Sequence, residues 1–147
     1  MKALKFLTIF ILAALLFTSC GPKEDEEVEI EFWHAMQGPL LVTLEKLIRN
    51  FETENPNITV HLKYQGRYSQ LLQRLESEIA AGTPPDISQA FGAWTNKLIA
   101  DNLLLSLSNK LEGAEKDFYE IFYRNNLFNG ELYSIPFNKS MPILYYN

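Results

Sequence analysis

One cysteine and two histidines are the only thiolate and imidazole ligands that this sequence offers a metal ion. Cys20 lies near the N-terminus, and His34 and His61 fall in separate segments without ligand spacing, which excludes a recognisable zinc site. There is no phosphate-cradling glycine loop and no nucleophile elbow, so the residues point to no enzyme and require no cofactor. Basic residues are scarce: 13 Lys and Arg stand against 18 Asp and Glu, a formal charge of −5. Without a basic cluster, neither nucleic acid nor an anionic lipid surface is a suitable partner, because both need phosphate neutralisation. Nor does any apolar run approach the ~20 residues of a membrane-spanning helix.

What the N-terminus does hold is a leader. "MKALK" supplies two lysines, and "FLTIFILAALLF" follows as an uncharged run, matching the positive and apolar regions of a secretory signal. The other reading of the run is a retained signal anchor. "LLFTSCG" then places Thr18 and Ser19 before the single Cys20. This stretch resembles a bacterial lipobox, with Phe17 where leucine is usual, and the resemblance implies cleavage after residue 19 and acylation of Cys20, in the manner of a palmitate-bearing lipoprotein. The bland reading is a chance cysteine after an ordinary signal. Loss of residues 1–19 would remove Lys2 and Lys5 and no acid, moving the charge from −5 to −7. The acidic "GPKEDEEVE" segment has too little apolar content to fold and reads as a solvated tether over 20–28.

The remaining residues alternate between two periods. "VEIEFWHA" places Val28, Ile30 and Phe32 on one side of a strand, and "QGP" ends it. From Pro39, residues Leu40, Leu41, Leu44, Leu47, Ile48 and Phe51 recur at helical spacing, with proline suited to the first turn. Pro56 stops that helix. "ITVHLKY" is a second strand, Ser69 is the expected cap of a second helix, and Gly82 its expected left-handed terminus. The stripes Leu40/Leu44/Leu47 and Leu71/Leu75/Ile79 are the expected core. "ISQAF" reads as a third strand, "WTNKLIADNLLLSLSNKL" as a helix broken near Asp101–Asn102, and "KDFYEIFYRNNL" as another helix. Asn129–Gly130 between apolar flanks signals a hairpin, and "MPILYYN" an apolar strand.

Strand, helix, strand, helix, strand implies a parallel sheet, in which ligands lie beyond the carboxyl ends of the strands. "WHAMQG", "QGRYS" and "GAW" fall at those ends, which would put Trp33 and His34 on the rim. Trp33 has two readings, packing against the following helix or facing a ligand. His34 likewise has two, a structural hydrogen bond or a ligand contact.

"FWHAMQG", "FETENPNITV", "YQGRYSQLL", "AAGTPPDISQ" and "LYSIPFNKSMPILYYN" occur in the order found in the family 1 extracellular solute-binding proteins of bacterial ABC importers. The chain resembles that family from Glu29 to Asn147, most of all its glycerol-3-phosphate- and sugar-binding branch. The resemblance implies an α/β fold of the periplasmic-binding-protein-like type II class, with two lobes closing on a ligand. Members are over twice this length, so the expectation is an N-terminal fragment: 29–147 as the first segment of the N-terminal lobe, the C-terminal lobe absent.

By the same resemblance, Tyr68 matches a ligand-touching tyrosine, Ser140 a hydrogen-bonding serine or threonine, and Asn138 lies in its loop. The branch has a glutamate after the aromatic of the third strand, where this chain has Gly92. Trp94 could offer a sugar a stacking face instead, and the chain's 19 aromatic residues suit rings with apolar faces and hydroxyl edges. The implied function is a lipid-anchored binding protein at the extracytoplasmic or periplasmic face. It would deliver a sugar, oligosaccharide or glycerol phosphate to ABC permease subunits, with the lipid on Cys20 as its link to the membrane. The alternatives are a truncated secreted lipoprotein with an adhesive or structural role, and a fragment of a secreted hydrolase.

Overall fold

The computed structural model describes residues 27–111, 113–138 and 144. Strand β1 (Val28–His34) is followed by helix α1 (Pro39–Glu54), strand β2 (Ile58–Tyr64), helix α2 (Tyr68–Ala81), strand β3 (Ile87–Ser88) and helix α3 (Gly92–Ala100). β1 lies between its two neighbours, and both pairings are parallel. β2 follows it over seven residues, from Val28 opposite Ile58 to His34 opposite Tyr64. β3 touches it only at Phe32–Ile87 and Trp33–Ser88. "ISQAF" is therefore a strand for two residues only, after which the chain leaves the sheet to enter α3.

Local signals set the helix ends. Pro39 occupies the first turn of α1, where its missing N–H has no helical partner to lose. Gly82 ends α2 at φ 79°, and the N–H groups of Gly82 and Thr83 close onto the carbonyls of Ile79 and Glu78. Ser69 is not the cap of α2. The helix starts one residue earlier, and the Gln70 amide oxygen reaches back to accept the Arg67 N–H at 2.8 Å. Gly66, at φ 87°, makes that possible, since a Cβ there would overlap the Gln70 side-chain amide.

Successive strand residues point to opposite faces, so β1 divides its side chains between two layers. Trp33 joins Leu71 and Leu75 of α2 and Leu98 of α3 in the buried core, with Tyr68, Ile79, Leu104 and Ala35 packed around them. The Trp33 indole N–H donates to the Glu31 carboxylate on the same face. His34 and Phe32 face the other way, where Phe137 meets Phe32 edge-on. Glu52 of α1 accepts the Val60 N–H at 2.8 Å, tying that helix to β2.

The two leucine stripes separate here. Leu71 and Leu75 are buried as expected, but on α1 only Leu44 is, while Leu40 and Leu47 are 51% and 55% exposed. Apolar periodicity marks a helix face; it does not say how much of that face another element covers. Among the described residues, Leu44 is the one fully buried side chain of α1.

α3 ends at Ala100, and Asn102 turns the chain at φ 55°. The expected continuation of that helix is absent; turns occupy 108–111 instead. A 3-10 turn (Ala114–Asp117) and a short helix α4 (Glu120–Arg124) stand where one longer helix was expected. β4 (Leu127–Phe128) and β5 (Glu131–Leu132) then pair as the hairpin, with Asn129 and Gly130 both at positive φ, as a tight turn of this kind needs. Leu132 is buried, and Leu107 and Ser108 hold both of its backbone polar groups. Apart from Leu144, "MPILYYN" lies outside the described residues, as do Cys20 and the leader.

Leu71, at 0% exposure, should cost about 2–5 kcal/mol on replacement by Ala, the range for a buried leucine that leaves a cavity. Leu47→Ala should change stability by no more than about 0.5 kcal/mol, the ordinary surface range. Urea titration of both variants measures the contrast; equal losses would mean that α1 is covered.

Candidate functional site

The carboxyl ends of β1, β2 and β3 lie together, and the loops leaving them form one edge. β1 connects to β2 on one side while β3 pairs with its other side, so the junction of β1 and β3 is the switch point of this sheet, the place where open α/β folds hold ligands. Two buried glutamines close the edge. The Gln65 N–H donates to the His34 carbonyl at 2.9 Å, and the Gln89 N–H to the Trp33 carbonyl at 3.0 Å. The Gln89 side-chain oxygen accepts the Ala35 N–H at 2.8 Å, and that of Gln65 accepts the Arg74 guanidinium at 2.7 Å.

Beside these amides stands an aromatic group drawn from two loops. Tyr68 is the first residue of α2, Phe91 directly precedes α3, and Trp94 is in the first turn of α3. The Tyr68 and Phe91 rings are 4.4 Å apart and tilted by 39°, Phe91 and Trp94 are 5.0 Å apart at 78°, and Tyr68 and Trp94 6.4 Å apart. Tyr68 also rests on the core, whereas Phe91 remains 49% exposed. A half-exposed phenyl ring held by two others forms a fixed apolar platform.

Of the residues singled out in the sequence, Tyr68 and Trp94 are brought together in this group. His34 and Trp33 stand at the end of β1 but turn inward, at 1% and 7% exposure. The Met36 N–H donates to His34 Nδ1 at 3.2 Å, which fixes the proton of the neutral ring on Nε2. Burial is the main reason that the His34 pKa lies below its ordinary value, with the nearby Glu45 carboxylate opposing the shift. Asn138 sits on the same side, its amide nitrogen 3.7 Å from the Met36 sulfur. Ser140 lies outside the described residues.

Gly92 opens α3, and a Cβ built there meets nothing within 4 Å. The edge thus has open space where the resemblance places a carboxylate. Phe91, Gln65, Gln89 and Met36 were not singled out in the sequence. Their only signal was position, since each lies within three residues of a strand end. Among the described residues no group of three or more His, Cys, Asp or Glu side chains could hold a metal ion.

Over residues 37–147 the chain matches the family described as bacterial extracellular solute-binding protein. It is 31% identical over 125 residues to the sn-glycerol-3-phosphate-binding periplasmic protein UgpB of Escherichia coli (strain K12), an alignment covering 80% of this chain and 28% of that protein. Its fold is similar to an extracellular solute-binding protein family 1 from Alicyclobacillus acidocaldarius, with a TM-score of 0.69 at 22% identity, covering 78% of this chain and 29% of the other. It is similar as well to the galacto-N-biose-/lacto-N-biose I-binding protein of the ABC transporter from Bifidobacterium longum, solved with lacto-N-biose. That match has a TM-score of 0.66 at 21% identity over 78% of this chain and 29% of the other. The chain spans less than a third of the length of these relatives.

The unfolded chain titrates His34 near its ordinary value of about 6.5, and the folded chain only at lower pH. As pH falls, the unfolded state therefore takes up the proton first. The stability held above about pH 6.5 is lost as pH drops through the folded value. Urea midpoints of the wild type should fall between pH 7.5 and pH 5.5, and His34→Gln should flatten that decline while lowering stability at pH 7.5. An unchanged slope in the variant would assign the acid sensitivity to other groups.

Proposed function

This chain belongs to the bacterial extracellular solute-binding protein family, and we propose that it is the solute-capturing component of an ABC importer for a sugar, oligosaccharide or glycerol-phosphate-like solute. The observation that carries the proposal is the Tyr68–Phe91–Trp94 group at the carboxyl edge of the sheet, with Phe91 open to solvent. A pyranose has an apolar face that stacks on such a ring and hydroxyls that take up amide hydrogen bonds from the same edge. Tyr68, Trp94 and Asn138 contribute from this lobe, with Ser140 two residues after Asn138 in sequence. His34 acts from beneath the edge, through the backbone of Met36. The relatives whose names point to lacto-N-biose and to sn-glycerol-3-phosphate support this solute range, and the open position at Gly92 favours its sugar end.

In this reading a second lobe closes over the solute, so that binding shifts the population toward the closed form that permease subunits recognise. Cys20 carries the lipid that holds the protein at the extracytoplasmic face of the membrane. No catalytic step is involved.

Calorimetry of the protein as its gene encodes it, against lacto-N-biose, maltotriose and sn-glycerol-3-phosphate, tests the solute. Phe91→Ala and Trp94→Ala should each weaken binding at least tenfold, about 1.4 kcal/mol, while the protein still melts cooperatively. Full affinity in both variants would remove the aromatic platform from the site. The anchor has a separate test. Cys20→Ser should move the protein from the membrane fraction to the soluble fraction and abolish labelling by a fatty-acid probe; a variant that remains at the membrane would refute lipidation at Cys20.

A further inference from the structure

Gln89 is 7% exposed, which is unusual for an amide side chain, and its orientation is fixed by its partner. The Ala35 backbone N–H can only donate, so the atom facing it at 2.8 Å must be the amide oxygen. The amide nitrogen therefore points away from Ala35. Among the described residues it has no hydrogen-bond partner, and no fully enclosed polar side-chain atom there is left without one. Gln89 itself stands at the switch point, between the end of β1 and the loop that carries Phe91. Gln65 repeats the pattern on the other side of β1. Its oxygen is occupied by Arg74, a donor-only partner, and its own N–H is bound to His34.

We propose that Gln89 is a specificity-determining residue of the solute site, holding the loop after β1 with its amide oxygen and presenting its amide nitrogen as a donor to an oxygen of the bound solute. The inference rests on the solute-binding reading above and deepens it. The solute it selects bears a hydroxyl, ether or carbonyl oxygen as acceptor at this point, and an ammonium, which has donors only, is rejected there. Burial makes the selection strong, because an unmatched donor excluded from water by the solute would weaken binding roughly 5- to 150-fold.

Gln89→Glu separates the two roles. The acid keeps an oxygen for the Ala35 N–H but has no donor while ionised, and regains one when protonated. Relative to wild type at each pH, calorimetric affinity for whichever of lacto-N-biose, maltotriose and sn-glycerol-3-phosphate binds should be at least tenfold weaker at pH 8 and should recover toward pH 5. Affinity within twofold of wild type at pH 8 overturns the proposal, and so does a loss without recovery, which would place the defect in the loop. If the acid variant does not melt cooperatively, the wild type supplies the test. In 15N-labelled protein the Gln89 side-chain amide resonances should shift on saturation with the bound solute; an unmoved pair overturns the proposal. Failure of wild type to bind any of the three solutes would instead sink the underlying reading.

Discussion

The parallel pairing of β1 with a strand on each side governs the rest of this structure. A central strand has both backbone edges occupied, so its register is fixed by β2 over seven residues and confirmed by β3 over two. That register sends Trp33 into the layer of α2 and α3 and His34 into the opposite layer. A slip of one residue would exchange the two, placing an imidazole among leucines and an indole near the Glu45 carboxylate. The same pairing decides where strand order ends and loops begin. Beyond His34 and Ser88 the ladder is continued by the N–H groups of Gln65 and Gln89. The carboxyl edge is therefore an extension of the sheet's own hydrogen bonding, which keeps its side chains in fixed positions.

The aromatic group shows how core and site share material. Tyr68 belongs to both: its ring lies against the Trp33–Leu71 cluster and against Phe91. Trp94 is anchored by the helix in whose first turn it lies, where Thr95 and Leu98 are buried. Phe91 is the member with least support and most exposure, fixed chiefly by its two ring neighbours. Such a platform is preorganised at small cost to the fold, because two of its three members would be packed in any case. Gly92 fits this arrangement, since a side chain there would project into open space beside the rings.

Much of the fold was legible in the sequence because its signals were local. The alternation in "VEIEFWHA" and "ITVHLKY", Pro39, Gly82 and Asn129–Gly130 each act within a few residues, and each sits where its physics requires. Several failures were contacts between distant segments, and one was a local competition. Leu40 and Leu47 share the period of Leu44, but which of them is covered depends on where α1 lies on the sheet. Ser69 is a good cap in isolation and lost to Gln70, whose reach depended on the glycine turn before it. β3 stops after two residues because its pairing with β1 stops there. The site followed the same rule. Tyr68 and Trp94 could be named from the motifs they stand in, whereas Phe91 and Gln89 acquire meaning only when the loops after β1, β2 and β3 meet. His34 looked like a rim residue because it ends a strand, and strand parity turned it inward.

Simple energetics indicate why this edge calls for a second surface. On the proposed reading, Phe91, half exposed, leaves on the order of 100 Å² of apolar ring that a stacked sugar would cover, about 2.5 kcal/mol at ~25 cal/mol per Å². A well-placed amide donor, the role proposed for Gln89, would add about 1 kcal/mol net. Micromolar affinity needs about 8 kcal/mol after the freedom lost on binding has been met. One open edge of rings and amides falls several kcal/mol short, however well it is preorganised. Enclosure of the solute from its other side would roughly double the covered area and strengthen the same amide bonds by excluding water. If the edge holds a solute as proposed, closure over that solute is the physical condition for capturing it at low concentration.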